Sequence, residues 1–354
     1  MLRQSISRVL FAICAGVLIA GCDQTSTAPA PSQDPSALRP LGAQQVAAPT
    51  AILLTSGLDA GSQGSAIGPG GALYVAEGVP GRISRVDPES GVVTTFASGL
   101  PPSLFGVGGG GVVDVAFIGS TAYALVTGVA ADVGGSDIVG IYRVDGPTSF
   151  TVVADIGEFN VLNPPTHQFP IDAPTGFQYA LETYRGGLLV TDGHLNRVLR
   201  VTLDGEVTEL IAFNNIVPTG LAVSGNTIYM AEAGPVPHLP QNGKVVSFAP
   251  NSPTATDVAS GASLIVDVEF GRGRSLFALS QGDFPVGSVP GTPALPNTGA
   301  LLGVNADGTF TVITEPLNQP TSLEFIGNTA YVVSLAGEIW KIENVSSPPY
   351  GKSR

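Results

Sequence analysis

The chain has little that is reactive or charged. Of its 354 residues only Cys14 and Cys22 carry thiols, only three are histidine and one is tryptophan. Charged residues make up 12%, and beyond the first 21 positions no apolar run is long enough to span a bilayer as a helix. Each shortage excludes something. Two cysteines this close to the N-terminus cannot staple a folded domain, so stability must come from packing. Three histidines without His-x-His or His-x-x-x-His spacing give no zinc signature. There is no G-x-S-x-G, which removes the usual serine hydrolase elbow. The glycine run Gly106–Gly111 lacks the lysine and the following helix of a phosphate cradle.

Residues 1–21 read as an export signal. Arg3 and Arg8 precede the apolar stretch VLFAICAGVLIA. Ala20 and Gly21 lead directly into Cys22, which resembles a bacterial lipobox. That resemblance implies cleavage before Cys22 and lipid on its sulfur. Residues 22–48 are rich in Pro, Ala, Ser and Gln without apolar period, as expected of a flexible tether. The expectation is an exported protein held on the extracytoplasmic side of a membrane, in the periplasm or at the cell surface. Without residues 1–21 the chain keeps 13 basic residues against 28 acidic ones, a net charge of −15. Such a balance argues against nucleic acid as a partner.

What is abundant is glycine, 46 residues, and proline, 29. Short β-branched segments alternate with Gly, Pro and Asp turns, and no amphipathic helical stretch exceeds about two turns, which points to an all-β fold. The segment PTGLAVSGNTIYMAEAG (218–234) returns as PTSLEFIGNTAYVVSLAG (320–337). Related segments mark a repeat whose central residues are Tyr74, Tyr123, Leu189, Tyr229, Phe277 and Tyr331, spaced by 49, 66, 40, 48 and 54. Periods of that size with four short strands each predict a six-bladed β-propeller over residues 49–346, with 347–354 as a tail. The last repeat supplies three strands. AILLTSGL (51–58) is predicted to add the fourth and close the ring.

The runs GPGGALYVAEGVPGRISRVD, GGGGVVDVAF and DAPTGFQYALETYRGGLLVTDGHLNRVLRVTLDGEVTELIAF resemble the ScyD/ScyE family of secreted propellers, within the wider NHL and gluconolactonase-like group. The similarity covers nearly all of residues 51–345. It implies a six-bladed propeller outside the cytoplasm and no particular activity.

Propeller geometry then sorts residues by face. The ends of second strands and the starts of innermost strands, the latter expected at Gly64, Asp114, Gly176, Gly220, Asp267 and Ser322, meet at one mouth of the channel. Five acids are expected there: Glu77, Asp114, Asp192, Glu232 and Asp267. Such a ring could hold a divalent cation, calcium for instance, or poise a carboxyl for proton transfer. The same aspartates could simply cap backbone N–H groups of the next blade. His194, and on rim loops His167, His238 and Phe284, fall on the same face. Its long, Pro-rich, charge-poor loops suit an apolar small molecule, a glycan or a protein segment. The leading expectation is a binding or scaffold module. The alternative is an enzyme acting on a small extracytoplasmic metabolite, lactonase-, lyase- or dehydrogenase-like. A gluconolactonase-type site would require a Glu at the head of the first inner strand, where this chain has Gly64.

Overall fold

The computed structural model describes residues 49–107, 109–166 and 172–346. The expected signal, tether and tail lie outside them, as does His167. Twenty-four strands form six four-stranded antiparallel sheets. The first blade holds β2 (Ser62–Ile67), β3 (Leu73–Glu77), β4 (Arg82–Val86) and β5 (Val93–Ser98). The second holds β6 (Gly111–Ile118), β7 (Thr121–Thr127), β8 (Gly140–Gly146) and β9 (Ser149–Asp155). The third holds β10 (Gln178–Tyr184), β11 (Gly187–Asp192), β12 (Arg197–Val201) and β13 (Val207–Ala212). The fourth holds β14 (Pro218–Ser224), β15 (Thr227–Glu232), β16 (Lys244–Ala249) and β17 (Ser252–Ser260). The fifth holds β18 (Ile265–Phe270), β19 (Leu276–Ser280), β20 (Gly299–Val304) and β21 (Phe310–Leu317). The sixth holds β22 (Pro320–Ile326), β23 (Thr329–Ser334) and β24 (Ile339–Ile342), completed by β1 (Ala51–Thr55). Ala51 pairs with Ile342 and Thr55 with Ile339, so the N-terminal strand closes the ring as the repeat count requires.

All six repeat markers sit on second strands, each opposite a residue of the innermost strand: Tyr74 faces Ala66, and Tyr331 faces Glu324. The core is not central. Six clusters fill it, one per blade-to-blade seam, such as Tyr74, Ala76 and Ile83 against Val112, Val115 and Val126, and a small seventh lies under the loops. Burying each such Val, Leu or Ile contributes roughly 1.5–3 kcal/mol. The near-duplicate Pro-Thr openings have a shared cause. Thr219 donates through Oγ1 to the carbonyl of Ile265 at 2.8 Å, and Thr321 to that of Ser62 at 3.2 Å, so each hydroxyl ties its blade to the next. Gly225 and Gly327, both at φ +63°, make the tight turns that follow.

Among the described residues one α-helix, α1 (Ile156–Leu162), joins blades two and three and is capped by Asp155, which accepts from Glu158 N at 2.7 Å. Arg197, only 1% exposed, holds it down. Its guanidinium donates to Asn163 O (2.9 Å), Asn160 Oδ1 (2.8 Å) and Glu209 Oε2 (3.0 Å) and lies 5.5 Å from the Phe159 ring. Arg197→Ala leaves Asn160 buried without that donor. It is expected to cost about 2 kcal/mol and to speed amide exchange first at residues 156–162. Uniform acceleration over the whole propeller would contradict a local anchoring role.

Candidate functional site

In every blade the connections between second and third strands, and those between blades, emerge on one face. The described parts of the long segments, 99–107, 128–139, 156–166, 172–177, 233–243 and 281–298, therefore share it. The acids expected at this mouth are present but mostly occupied. Glu77 is fully buried and accepts from Arg82 Nε and Nη2 (both 2.7 Å), from Asp59 N (2.6 Å) and from the Ser84 hydroxyl. Asp192, also fully buried, accepts from Asn160 Nδ2 (2.8 Å), Gln178 Nε2 (2.7 Å), Leu195 N (2.8 Å) and His194 N (3.1 Å). Both carboxylates organise loops.

Asp114 and Asp267 play one role half a ring apart. Asp114 accepts from Val115 N (2.8 Å) and from Leu181 N of the next blade (2.7 Å). Asp267 accepts from Val268 N (2.8 Å) and Leu323 N (2.7 Å). Each latches one innermost strand to the next, the capping reading. Glu232 pairs in register with Lys244 and is pushed up to about 7 by burial, against the pull of that lysine. His194 stacks edge-on against Phe177 at 6.0 Å. His238 is buried, with Nδ1 3.2 Å from Ala233 O and its ring 4.9 Å from Phe284, and burial pulls its pKa down. Phe284 packs with Ala233, Leu264 and Ala294. Among the described residues no three His, Cys, Asp or Glu side chains are placed together to hold a metal ion.

The third blade corrects one expected position. Its innermost strand starts at Gln178, and a register shift follows before Leu181. Ala180, not Gly176, is thus the counterpart of Asp114. The counterpart of Glu324 is Glu182, opposite Leu189. Glu182, Glu269 and Glu324 accordingly all face second-strand repeat markers from the innermost strands of blades three, five and six. They line the channel one step deeper than Asp114 and Asp267. Burial pushes Glu182 up to about 7 and Glu269 and Glu324 well above the usual range, and mutual repulsion adds to it. Asp267 also rises to about 7 through burial. Tyr179 reaches across the channel from blade three, its hydroxyl 3.4 Å from Thr321 O of blade six and its ring against the seam of blades five and six. Sequence reasoning missed this layer, whose only signal is the residue facing each repeat marker.

The surface around the mouth is apolar. Among the described residues eighteen large hydrophobic side chains are exposed, and twelve stand on this face's connections. They include Phe105 (50%), Leu162 (70%), Val286 (101%) and Val289 (71%). Phe105 continues inward to Phe177 at 5.9 Å and then to His194.

Fold and mouth together define a six-bladed β-propeller with an apolar loop face. Solved structures agree. A gluconolactonase from Xanthomonas campestris matches with TM-score 0.58 at 13% identity, over 83% of this chain and 89% of its own. The PQQ-bound aldose sugar dehydrogenase from Streptomyces coelicolor matches with TM-score 0.55 at 15% identity, over 82% and 96%. Regucalcin from Agrobacterium tumefaciens, a calcium-binding protein, gives 0.55 at 15%, over 84% and 93%. At such identity these likenesses establish the fold alone. No family model and no curated protein matches the chain in sequence.

Proposed function

We propose that this protein is an extracytoplasmic binding module, lipid-anchored through Cys22, whose ligand sits on the loop face. Its motifs resemble those of the ScyD/ScyE propellers. The observation that carries the reading is the concentration of exposed apolar side chains on the loops of one face. Exposed apolar side chains gathered on one face are costly in water unless something covers them. Placing a photo-crosslinking residue at Val289, on the loop face, should give one dominant adduct in intact cells. The same residue at Val92, on a turn of the opposite face, should give none. Equal labelling at both positions, or none at either, refutes a dedicated loop face.

The second reading is an enzyme. Its support is the channel layer, where Glu182 and Asp267, both pushed up to about 7, are suited to move protons near neutral pH. Two features weigh against a lactonase-like arrangement. Tyr179 crosses the channel above those carboxyls. At position 64 any Cβ would lie 2.0 Å from Asp114 Oδ1, so this backbone admits no glutamate there. Turnover of a lactone or aldose substrate that is abolished by Glu182→Gln would shift the balance to this reading.

A further inference from the structure

Charge divides the two faces of the propeller, and the division bears on what the loop face binds. The twelve connections on that face contain no lysine and no arginine. They contain seven acids: Asp59, Asp132, Asp137, Glu158, Asp172, Asp283 and Glu338. All but Glu338 are exposed. The basic residues of the propeller lie on strands or on the opposite face, whose turns carry Arg185, Arg272 and Arg274 among their acids. Three basic residues begin third strands at the loop-face end, and each is already neutralised. Arg82 pairs with Glu77 and Asp59 (2.7 and 2.8 Å), Arg197 with Glu209 (3.0 Å) and Lys244 with Asp257 (2.8 Å). The loop face is therefore apolar and of a single sign.

That combination selects a partner. Covering the apolar side chains requires apolar groups. Bringing them close sets the partner's own charges among exposed carboxylates, of which Asp59 is paired with Arg82 and the others with no base among the described residues. Two unit charges about 4 Å apart at a protein surface attract only if their signs differ. Lys and Arg flanking an apolar stretch would thus speed encounter and exclude acidic competitors. The spread of the surface also matters. Exposed apolar residues stand on both sides of the mouth, from Phe105 and Ile138 to Leu239 and Val286. A small molecule needs a concave pocket that buries most of it, whereas a polypeptide segment covers a broad rim.

We propose that the loop face docks a polypeptide segment that presents apolar residues flanked by Lys or Arg. The proposal rests on the binding-module reading and adds the chemistry of the partner. It is tested with two amphipathic synthetic peptides of equal length, Leu/Lys and Leu/Glu, titrated against the full chain by fluorescence anisotropy. The Leu/Lys peptide should bind at least about tenfold tighter, and more weakly as salt rises. The pair Asp137→Lys and Asp283→Lys, on opposite sides of the mouth, should cost it about tenfold in affinity. So should Val286→Ser with Leu295→Ser. The pair Glu89→Lys and Glu206→Lys makes the same charge change on the other face and should alter affinity by less than about twofold. An equal loss from that control pair would mean that net charge alone attracts the peptide, and would overturn the site. Equal binding of both peptides, lost in the serine variant, would overturn the charge preference and leave the loop-face reading standing. Binding of neither peptide, or binding indifferent to the serine variant, would overturn both.

Discussion

Taking the full chain from about pH 8 to about pH 6 is expected to raise its thermal midpoint, and Glu324→Gln is expected to raise the midpoint at about pH 8 while changing it little at about pH 5. The cause is the carboxyl layer inside the channel. Burial first, and then neighbouring negative charge, raises Glu182 to about 7 and lifts Glu269 and Glu324 well above their usual value. Asp114 is lifted too, although Leu181 and Val115 N–H groups oppose the shift. A group whose pKa is higher folded than unfolded gives stability that is complete below about pH 4 and lost as pH climbs through the folded value. For Glu182 and Asp267 that loss centres near 7. Surface aspartates whose pKa is lowered, Asp87, Asp145, Asp204 and Asp307, work in the opposite sense. Their contribution disappears only as pH falls below about 4, outside this window.

The size follows from the shift. Each pKa unit corresponds to about 1.4 kcal/mol, so moving one glutamate from 4.5 to about 7 corresponds to roughly 3 kcal/mol across the interval. A domain this large gains about 2–4 °C per kcal/mol. Glu324 is the variant of choice because its carboxyl forms no hydrogen bond among the described residues, so neutralising it removes repulsion without breaking a latch. A flat or rising midpoint from about pH 6 to about pH 8 would contradict the buried layer. So would a Glu324→Gln protein that is less stable at both pH values, which would mean the carboxylate makes a favourable contact instead.

The same layer shows where sequence reasoning ran out. Six blades, their order and the closing strand were legible because a period-two pattern between glycine turns is a local signal. Tyr74 or Phe277 can be recognised from its immediate neighbours. The sorting of loops to one face was legible too, since antiparallel pairing dictates it. The fate of individual acids was not. Glu77 is consumed by Arg82 and by the backbone of Asp59, and Asp192 by Asn160, a residue 32 positions earlier. Those partners are set by packing. Glu182, Glu269 and Glu324 escaped notice because a register shift lies near the start of every innermost strand, so counting from a Pro or Gly misplaces the residues beyond it. The position held by Gly176 in the sequence reading belongs to Ala180 for this reason. The apolar loop face stands between these cases: its composition was visible, and its exposure needed coordinates.

Gly220→Ala is expected to destabilise the propeller by about 3 kcal/mol or more, because the clash would be with main chain as well as side chain. A Cβ at 220 would lie 2.2 Å from Asp267 Oδ1 and 2.6 Å from Asp267 Cα on the neighbouring blade. Rotating the side chain away cannot relieve the second contact, so β18 must move. Its movement would pull Asp267 Oδ2 from Leu323 N and open the next seam as well. Gly64 stands in the same relation to Asp114, with contacts of 2.0 Å to Oδ1 and 2.8 Å to Cα, and Asp114 in turn holds Leu181 N. Glycine in one blade, aspartate in the next and a backbone N–H in the third therefore form one device, used twice around the ring. Gly225→Ala is the control. That residue has φ +63° and open space around it, so alanine there should cost only about 1–2 kcal/mol of backbone strain. In denaturant titrations, Gly220→Ala combined with Asp267→Ala should lose less than the sum of the single changes by at least about 1 kcal/mol, since the two residues oppose each other directly. Strict additivity would separate the glycine from the latch. A Gly220→Ala protein within about 0.5 kcal/mol of the parent would mean that the seam has room for a methyl group, and that the aspartate, not the glycine, sets the spacing of the blades.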